Sequence, residues 1–282
     1  MATLFVSDVH LSADRPEQVH RFLEFLATTA RRAEALYLLG DLFDLWLGDD
    51  DLGPPNGEAV AALAALGRAG VELFALHGNH DFLLGRKFAR DTGCRILPDP
   101  ARVEIYGEGV LLSHGDGFCT RDQSYQRWRA FTRNPLAQTL CRALPLPMRR
   151  AQAARIRART LALTPRKSPE VMDVDPGTVA SAARAHGVSR VVHGHTHRPG
   201  VYPLEVEGMR TERIVLGDWY EGDSVLVWDR TGPRLSRLAE VDGQLAQPSP
   251  PGVRHPPWNI TVAGRSSETR MRVRPALATC SR

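Results

Sequence analysis

Residues 3–10 read Thr3-Leu-Phe-Val-Ser-Asp-Val-His10, a short apolar run that stops on a carboxylate and an imidazole. The same punctuation recurs four times. Leu36-Tyr-Leu-Leu39 ends at Gly40-Asp41-Leu-Phe-Asp44, and Val71-Glu-Leu-Phe-Ala-Leu76 ends at His77-Gly-Asn-His-Asp81. Val110-Leu-Leu-Ser113 ends at His114-Gly-Asp116, and Arg190-Val-Val192 ends at His193-Gly-His-Thr-His197. Runs this long are strand-sized, and their unbroken apolar character suits strands covered on both faces. Helical patterns at 15–33, 57–69, 85–91 and 176–186 alternate with them. Alternation of this kind predicts a layered α/β fold. Further strand patterns at 201–206, 213–216 and 224–228 are expected to form a second sheet that closes a sandwich.

The wider composition sets the boundaries of the problem. The chain has 282 residues, 43% hydrophobic and 24% charged, which excludes wholesale disorder, a fibre and a disulfide-stapled mini-protein. No stretch approaches the roughly 20 apolar residues needed to cross a bilayer. The first residues run straight to Asp8 without the basic start and apolar core of a secretory signal. Four cysteines (Cys94, Cys119, Cys141, Cys280) lack CxxC spacing and are expected to be reduced thiols. A cytoplasmic location is the expectation.

Charge is unevenly distributed. Residues 1–120 hold 10 Lys/Arg against 18 Asp/Glu, residues 121–167 hold 12 against 1, residues 168–245 hold 8 against 12, and residues 246–282 hold 6 against 1. The net charge of +4 therefore conceals two acidic blocks, one strongly basic block and a basic tail. Acidic blocks suit divalent cations, and a concentrated basic block suits an anionic partner. The basic block breaks the strand-and-cluster rhythm and reads as helices at 123–132 and 148–163. Tyr125, Trp128, Phe131, Leu136, Leu140 and Leu144 supply an apolar face. The expected organisation is a core of residues 1–120 and 170–245, interrupted by a helical insertion cap at 121–169. The tail 246–282, with six prolines and no apolar periodicity, is expected to be disordered.

The polar clusters carry the chemistry. Ligands in α/β folds converge beyond the carboxyl ends of strands. The residues collected there are Asp8, His10, Asp41, Asn79, His114, His195 and His197. Alternation along extended chain lets Asp8 and His10 face one way, and likewise His195 and His197. Seven O/N donors without a thiolate match two octahedral-leaning cations such as Mn²⁺ rather than a structural zinc. One carboxylate must bridge the pair, and Asp41 is the expected one. Two cations about 3.5–4 Å apart would polarise a phosphoryl group and supply hydroxide near neutral pH. DxH or HxH alone is a weak signal. The ordered series DxH, GDxxD, GNHD, HGD, GHTH at strand ends is a strong one.

That series resembles the calcineurin-like metallophosphoesterases, and the resemblance implies a four-layered α/β sandwich. It implies Asp8, His10, Asp41 and His197 on one metal, with Asp41 bridging to a second held by Asn79, His114 and His195. Asp44 and His80 match an Asp–His pair whose histidine protonates the leaving group, a carboxylate partner fixing its tautomer.

A narrower likeness covers about residues 1–240. His114-Gly-Asp-Gly-Phe-Cys-Thr-Arg-Asp-Gln-Ser-Tyr-Gln-Arg-Trp-Arg129, Arg133-Asn-Pro135, Gly40–Leu47, Asp81-Phe-Leu-Leu-Gly85 and Lys167-Ser-Pro-Glu-Val-Met-Asp-Val174 are similar to the UDP-2,3-diacylglucosamine diphosphatase family of lipid A biosynthesis. This implies cleavage of a UDP-linked diacylated glucosamine to UMP and the diacylglucosamine 1-phosphate (lipid X). Substrate contacts would fall on Asn79, His80, Asp122, Thr160, Thr164, Lys167 and His195. The family usually has Arg where this chain has His80, and Ser and Asn where it has Thr160 and Thr164. A phosphate monoester is a good leaving group that needs charge neutralised more than it needs a proton, so protonated His can stand in for Arg.

The insertion suits such a substrate, its arginines meeting phosphate or anionic headgroups while apolar residues wall the acyl chains. Packing of the helices on the core is the commoner use of aromatic and Leu positions at helical spacing, and is expected for most of them. Peripheral contact with lipids at the cytoplasmic face of the inner membrane is expected. No nucleic-acid partner and no obligate protein partner are expected. The alternative within the same chemistry is a broad metal-dependent phosphodiesterase or nucleotide pyrophosphatase.

Overall fold

The structure is a computed structural model that describes residues 2–163, 169–206, 208–220, 222–245, 259–262 and 269–272. In the first sheet, β1 (Thr3–Val6), β2 (Ala35–Leu38), β3 (Glu72–Ala75) and β4 (Arg95–Ile96) run parallel in that order. On the far side of β1, β10 (Ser224–Asp229) and β11 (Gly232–Arg237) add in antiparallel sense. The second sheet contains β5 (Ala101–Ile105), β6 (Glu108–Ser113), β7 (Arg190–His193), β8 (Gly200–Val206), β9 (Met209–Val215), β12 (Asn259–Val262) and β13 (Thr269–Arg272). Its order is β13-β12-β5-β6-β7-β9-β8, with β6, β7 and β9 parallel.

Period-two alternation explains the layers. Phe5, Tyr37, Phe74, Leu226 and Trp228 of the first sheet meet Val103, Ile105, Val110, Leu112 and Val192 of the second in one buried core. The intervening positions Leu4, Val6, Leu36, Leu38, Leu73 and Val225 point the other way. There they pack under α1 (Pro16–Ala27), α2 (Asn56–Arg68), α3 (Arg86–Thr92) and α9 (Leu238–Gln244). On the outer face of the second sheet, Leu111 and Val191 pack with Val179 and Ala183 of α8 (Pro176–His186). Helix, sheet, sheet and helix make the four layers implied by the family resemblance.

Three expectations are corrected. The helix predicted for 15–33 stops at Ala27, because Thr28 leaves helical geometry at φ −118°, ψ −81° and only a 3₁₀ turn (Ala30–Arg32) follows. The strand at 224–228 belongs to the first sheet, since pairing Thr3 with Trp228 sends Leu226 and Trp228 into the inter-sheet core. Within the tail read as disordered, β12 pairs antiparallel with the edge strand β5, and β13 pairs with β12. The other tail residues lie outside those described.

Between β6 and α8 the chain forms α4 (Gln123–Thr132), α5 (Pro135–Ala143), α6 (Leu146–Leu163) and α7 (Pro169–Met172). Asp122 and Asn134 cap α4 and α5 by accepting backbone N–H bonds. Arg149 and Arg150 of α6 pair with Asp50 and Asp51, and Arg157 pairs with Asp44. Arg129 and Arg133 pair with Asp116. These arginines, expected to meet phosphate or lipid, therefore bind the block to the acidic loops beside it. The packing expected of its apolar residues is also corrected. Trp128 and Phe131 are exposed, and Leu136 and Leu140 are 75% and 71% exposed, because α5 buries none of its residues.

The layered core and the uncovered face make opposite predictions. Trp228→Ala should cost about 3–5 kcal/mol in urea denaturation. Leu140→Ser should change stability by less than about 0.5 kcal/mol. Equal losses from both would mean that α5 packs on a core after all.

Candidate metal centre

Every expected ligand sits just past a strand end: Asp8 and His10 after β1, Asp41 after β2, Asn79 after β3, His114 after β6, and His195 and His197 after β7. Three of those strands belong to the first sheet and two to the second, so the site lies where the two sheets' carboxyl edges meet. The turns there are tight. Asp8, His10, Asp41, His195 and His197 all hold positive φ (49–68°), as do only Tyr106 and Asp223 among the other described non-glycine residues. Such backbone is costly for side chains with a Cβ and clusters where function demands it. Gly78 allows the close approach. A Cβ there would strike the backbone N and carboxylate of Asp41.

Asp8 and Asp41 are almost wholly buried, 0% and 2% exposed. His10 Nε2 stands 3.8 Å from Asp8 Oδ1 and 3.8 Å from Asp41 Oδ2. Both ring nitrogens of this buried histidine lack a hydrogen-bond partner. A buried polar group without a partner is expensive. The gap, too wide for a hydrogen bond and lined by carboxylate and imidazole, has the donor chemistry of a divalent cation. On the other side, His114 Nε2 stands 3.5 Å from Asp41 Oδ2 and 3.0 Å from Asn79 Oδ1. Asp41 Oδ2 thus faces a ring nitrogen of each half. His197 Nε2 lies 3.3 Å from Asp8 Oδ1. Ligand atoms lie within 4.8 Å of one another in each of three groups: Asp8, His10 and His197; His10, Asp41 and His80; and Asp41, His114 and His195.

Burial and crowded charges govern the electrostatics. Burial pushes the Asp41 carboxyl up to about 6, against the pull of His114 and His80. Burial also pushes His10 down to about 2 and His195 down to about 3. For His114 burial is outweighed by Asp41, Asp8, Asp116 and Asp99, which lift it to about 9. For Asp8 burial is likewise outweighed, by the His197 hydrogen bond and neighbouring histidines, and its carboxyl falls below the usual range. Neutral His10 and His195 and anionic Asp8 are ligating forms, whereas His114, held protonated by its carboxylate neighbours, would give up its proton on binding a cation.

His80 is brought to this edge, its backbone N–H donating to Asp41 Oδ1 at 2.8 Å. Its Nδ1 lies 2.7 Å from the backbone carbonyl of Asp44, and the Asp44 carboxylate is engaged by Arg157. The expected carboxylate partner is thus replaced by a carbonyl. An Nδ1–H donated to that oxygen fixes the same tautomer and leaves Nε2 available. Asp122 is buried as the cap of α4, where Oδ1 accepts from Tyr125 N and Ser124 Oγ. Thr160 is exposed on α6, about one turn beyond Arg157. Thr164 and Lys167 lie outside the described residues.

Several residues were missed in the motif reading. Asp81 Oδ1 and Oδ2 accept from Gly78 N at 2.7 Å and Leu42 N at 2.8 Å, tying the loops after β3 and β2 together. Asp116 accepts from the Tyr125 hydroxyl at 2.8 Å, and the Tyr125 ring stacks on His195. Asp218 lies 3.0 Å from His197 Nδ1. Gly217-Asp218 follows a strand just as Gly40-Asp41 does, a signal that could have revealed it.

Residues 1–199 match the family described as calcineurin-like phosphoesterase. Proteins named UDP-2,3-diacylglucosamine hydrolase are similar along nearly their whole lengths. The one from Pseudomonas paraeruginosa is 47% identical over 234 residues, covering 83% of this chain and 98% of the relative. That of Aeromonas hydrophila is 47% identical over 241 residues, 86% of this chain and 100% of the relative. That of Salmonella arizonae is 47% identical over 228 residues, 80% and 95% respectively. With the ligand series, the layered fold and these matches in agreement, the chain belongs to the calcineurin-like phosphoesterase family.

Proposed function

We propose that this enzyme hydrolyses the pyrophosphate bond of UDP-2,3-diacylglucosamine, giving UMP and 2,3-diacylglucosamine 1-phosphate in lipid A biosynthesis. The observation that carries the reading is Asp41 Oδ2, set between His10 Nε2 and His114 Nε2 at 3.8 and 3.5 Å, so that one buried carboxylate can serve two cations. Asp8, His10, Asp41 and His197 would hold one Mn²⁺ or similar ion, and Asp41, Asn79, His114 and His195 the other. The ions would supply charge to the phosphoryl oxygens and a nucleophile near neutral pH. Relatives bearing that substrate in their name are 47% identical across 80–86% of the chain, and this favours the lipid substrate over a broad phosphodiesterase.

The chain's own residues account for the rest. His80 Nε2 meets the departing phosphate, with Asp44 acting through its backbone carbonyl to hold the tautomer. Asn79, His80, Asp122, Thr160, Thr164, Lys167 and His195 are assigned to the substrate by resemblance. The insertion block 121–169 is assigned as a cap over it. Trp128, Phe131, Leu136 and Leu140, uncovered by protein, suit acyl chains or a bilayer surface. No helix among the described residues is long and apolar enough to cross a membrane. Peripheral attachment at the cytoplasmic face of the inner membrane fits both.

Asp41→Ala should abolish UMP release and lower bound Mn²⁺ below two per chain, measured by elemental analysis. Near-normal turnover with two ions retained would overturn the shared-carboxylate reading. His80→Ala should slow UMP release about 10²–10⁴-fold with metal content unchanged. His80→Arg should retain the lipid reaction with a flatter pH–rate profile, because guanidinium stays charged, and should lose turnover of a small diester whose leaving group needs a proton. If the arginine variant instead keeps the diesterase and loses the lipid reaction, the broad phosphodiesterase is the better description.

A further inference from the structure

Gly217-Asp-Trp-Tyr220, between β9 and β10, lies outside the ligand motifs yet packs against Asp8, His10 and His197 on one side of the metal centre. Asp218 Oδ2 stands 3.0 Å from His197 Nδ1, and its Oδ1 accepts from Tyr220 N at 2.9 Å. The Tyr220 ring lies on the His10 ring, centroids 5.3 Å apart and planes 17° from parallel, with His197 at its edge at 6.2 Å. Arg15, at the entry to α1, covers the outer face of Tyr220 with its guanidinium 3.9 Å from the ring centroid. Between them Trp219 is fully buried against Phe22 and Phe25 of α1, and its backbone N–H donates to the Asp8 carbonyl at 3.3 Å. Three of the four ligands on this side, Asp8, His10 and His197, are therefore held from behind by three consecutive residues.

The opposite side is supported differently. His114 Nδ1 lies 3.0 Å from the Leu39 carbonyl, and His195 rests against Tyr125. A carboxylate behind a ligating imidazole makes its other nitrogen a stronger donor than a carbonyl does, and such partners are worth roughly 10–100-fold in metal affinity. We infer that Asp218 and Tyr220 are positioning residues that set the affinity of the Asp8–His10–His197 ion alone, so that the two ions are held unequally and can be separated. Asp218 fixes the His197 tautomer with Nε2 toward Asp8, and Tyr220, clamped by Arg15, keeps the His10 ring edge-on to Asp8 and Asp41.

The inference rests on the two-ion reading, and the experiment separates the two. Mn²⁺ is titrated into chelator-stripped protein, free ion is read by electron paramagnetic resonance, and the melting temperature is recorded in excess chelator. Wild type should bind two ions per chain. Asp218→Ala and Tyr220→Ala should each keep one at wild-type affinity and weaken the other about 10–100-fold. Their metal-free melting temperatures should match wild type, and Tyr220→Phe, which keeps the stacked ring, should restore both ions. Wild type that binds only one ion overturns the two-ion reading itself. Two ions in wild type with both lost together, both unchanged in Asp218→Ala, or a parallel fall in metal-free melting temperature overturn this inference alone.

Discussion

Two carboxylates buried beside a histidine that has no hydrogen-bond partner form the arrangement on which the rest of the molecule depends. Negative charge on Asp8 and Asp41 is costly out of water unless hydrogen-bond donors or positive charge stand beside them. His10 faces both at 3.8 Å and is itself kept neutral by burial. The natural resolution is a divalent cation, and Asp41, facing a ring nitrogen on each side, is the carboxylate placed to be shared under the proposed two-ion reading. A site of this kind has to be imposed by a scaffold, because each ligand group is unfavourable by itself.

The scaffold imposes it through backbone geometry. Five of the candidate ligand residues occupy left-handed conformations that cost an ordinary residue free energy. Two sheets packed through Phe5, Tyr37, Phe74, Val110 and Val192 hold the strand ends that make those turns. Asp81 then joins the loop after β2 to the loop after β3. The strain is local and the stabilisation is spread over the layered core, which is why the ligands can converge without relaxing.

The helical block shows the same division of labour. Part of its positive charge is taken up by the acidic loops it sits on, through Arg149, Arg150 and Arg157 to Asp50, Asp51 and Asp44. Its apolar residues, freed from packing, remain outside. Arginine therefore serves attachment here, and exposed leucine and aromatic surface is what the block offers to a partner. The segment Asp218–Tyr220 repeats the pattern on a smaller scale, one buried tryptophan anchoring two residues that touch His197 and His10.

By itself the sequence determined the strand ends and singled out the seven candidate ligands, with Asp41 as the one expected to be shared. Each is a local pattern, an apolar run followed by O/N donors and glycine, and local patterns survive in one dimension. The alternation that sends Leu4 one way and Phe5 the other was equally legible. Which sheet each strand joins was not, and Ser224–Asp229 went to the first sheet because register against β1 depends on partners more than 200 residues away. The carbonyl that replaces the Asp44 carboxylate behind His80 was also hidden, since Arg157, on a helix far along the chain, takes that carboxylate first. The exposure of Leu136 and Leu140 was misread for a related reason: helical spacing marks an apolar face but cannot say whether anything lies against it. Tertiary structure alone decided these points, because competition for a charge, a register or a covering surface is settled between segments that the sequence does not place side by side.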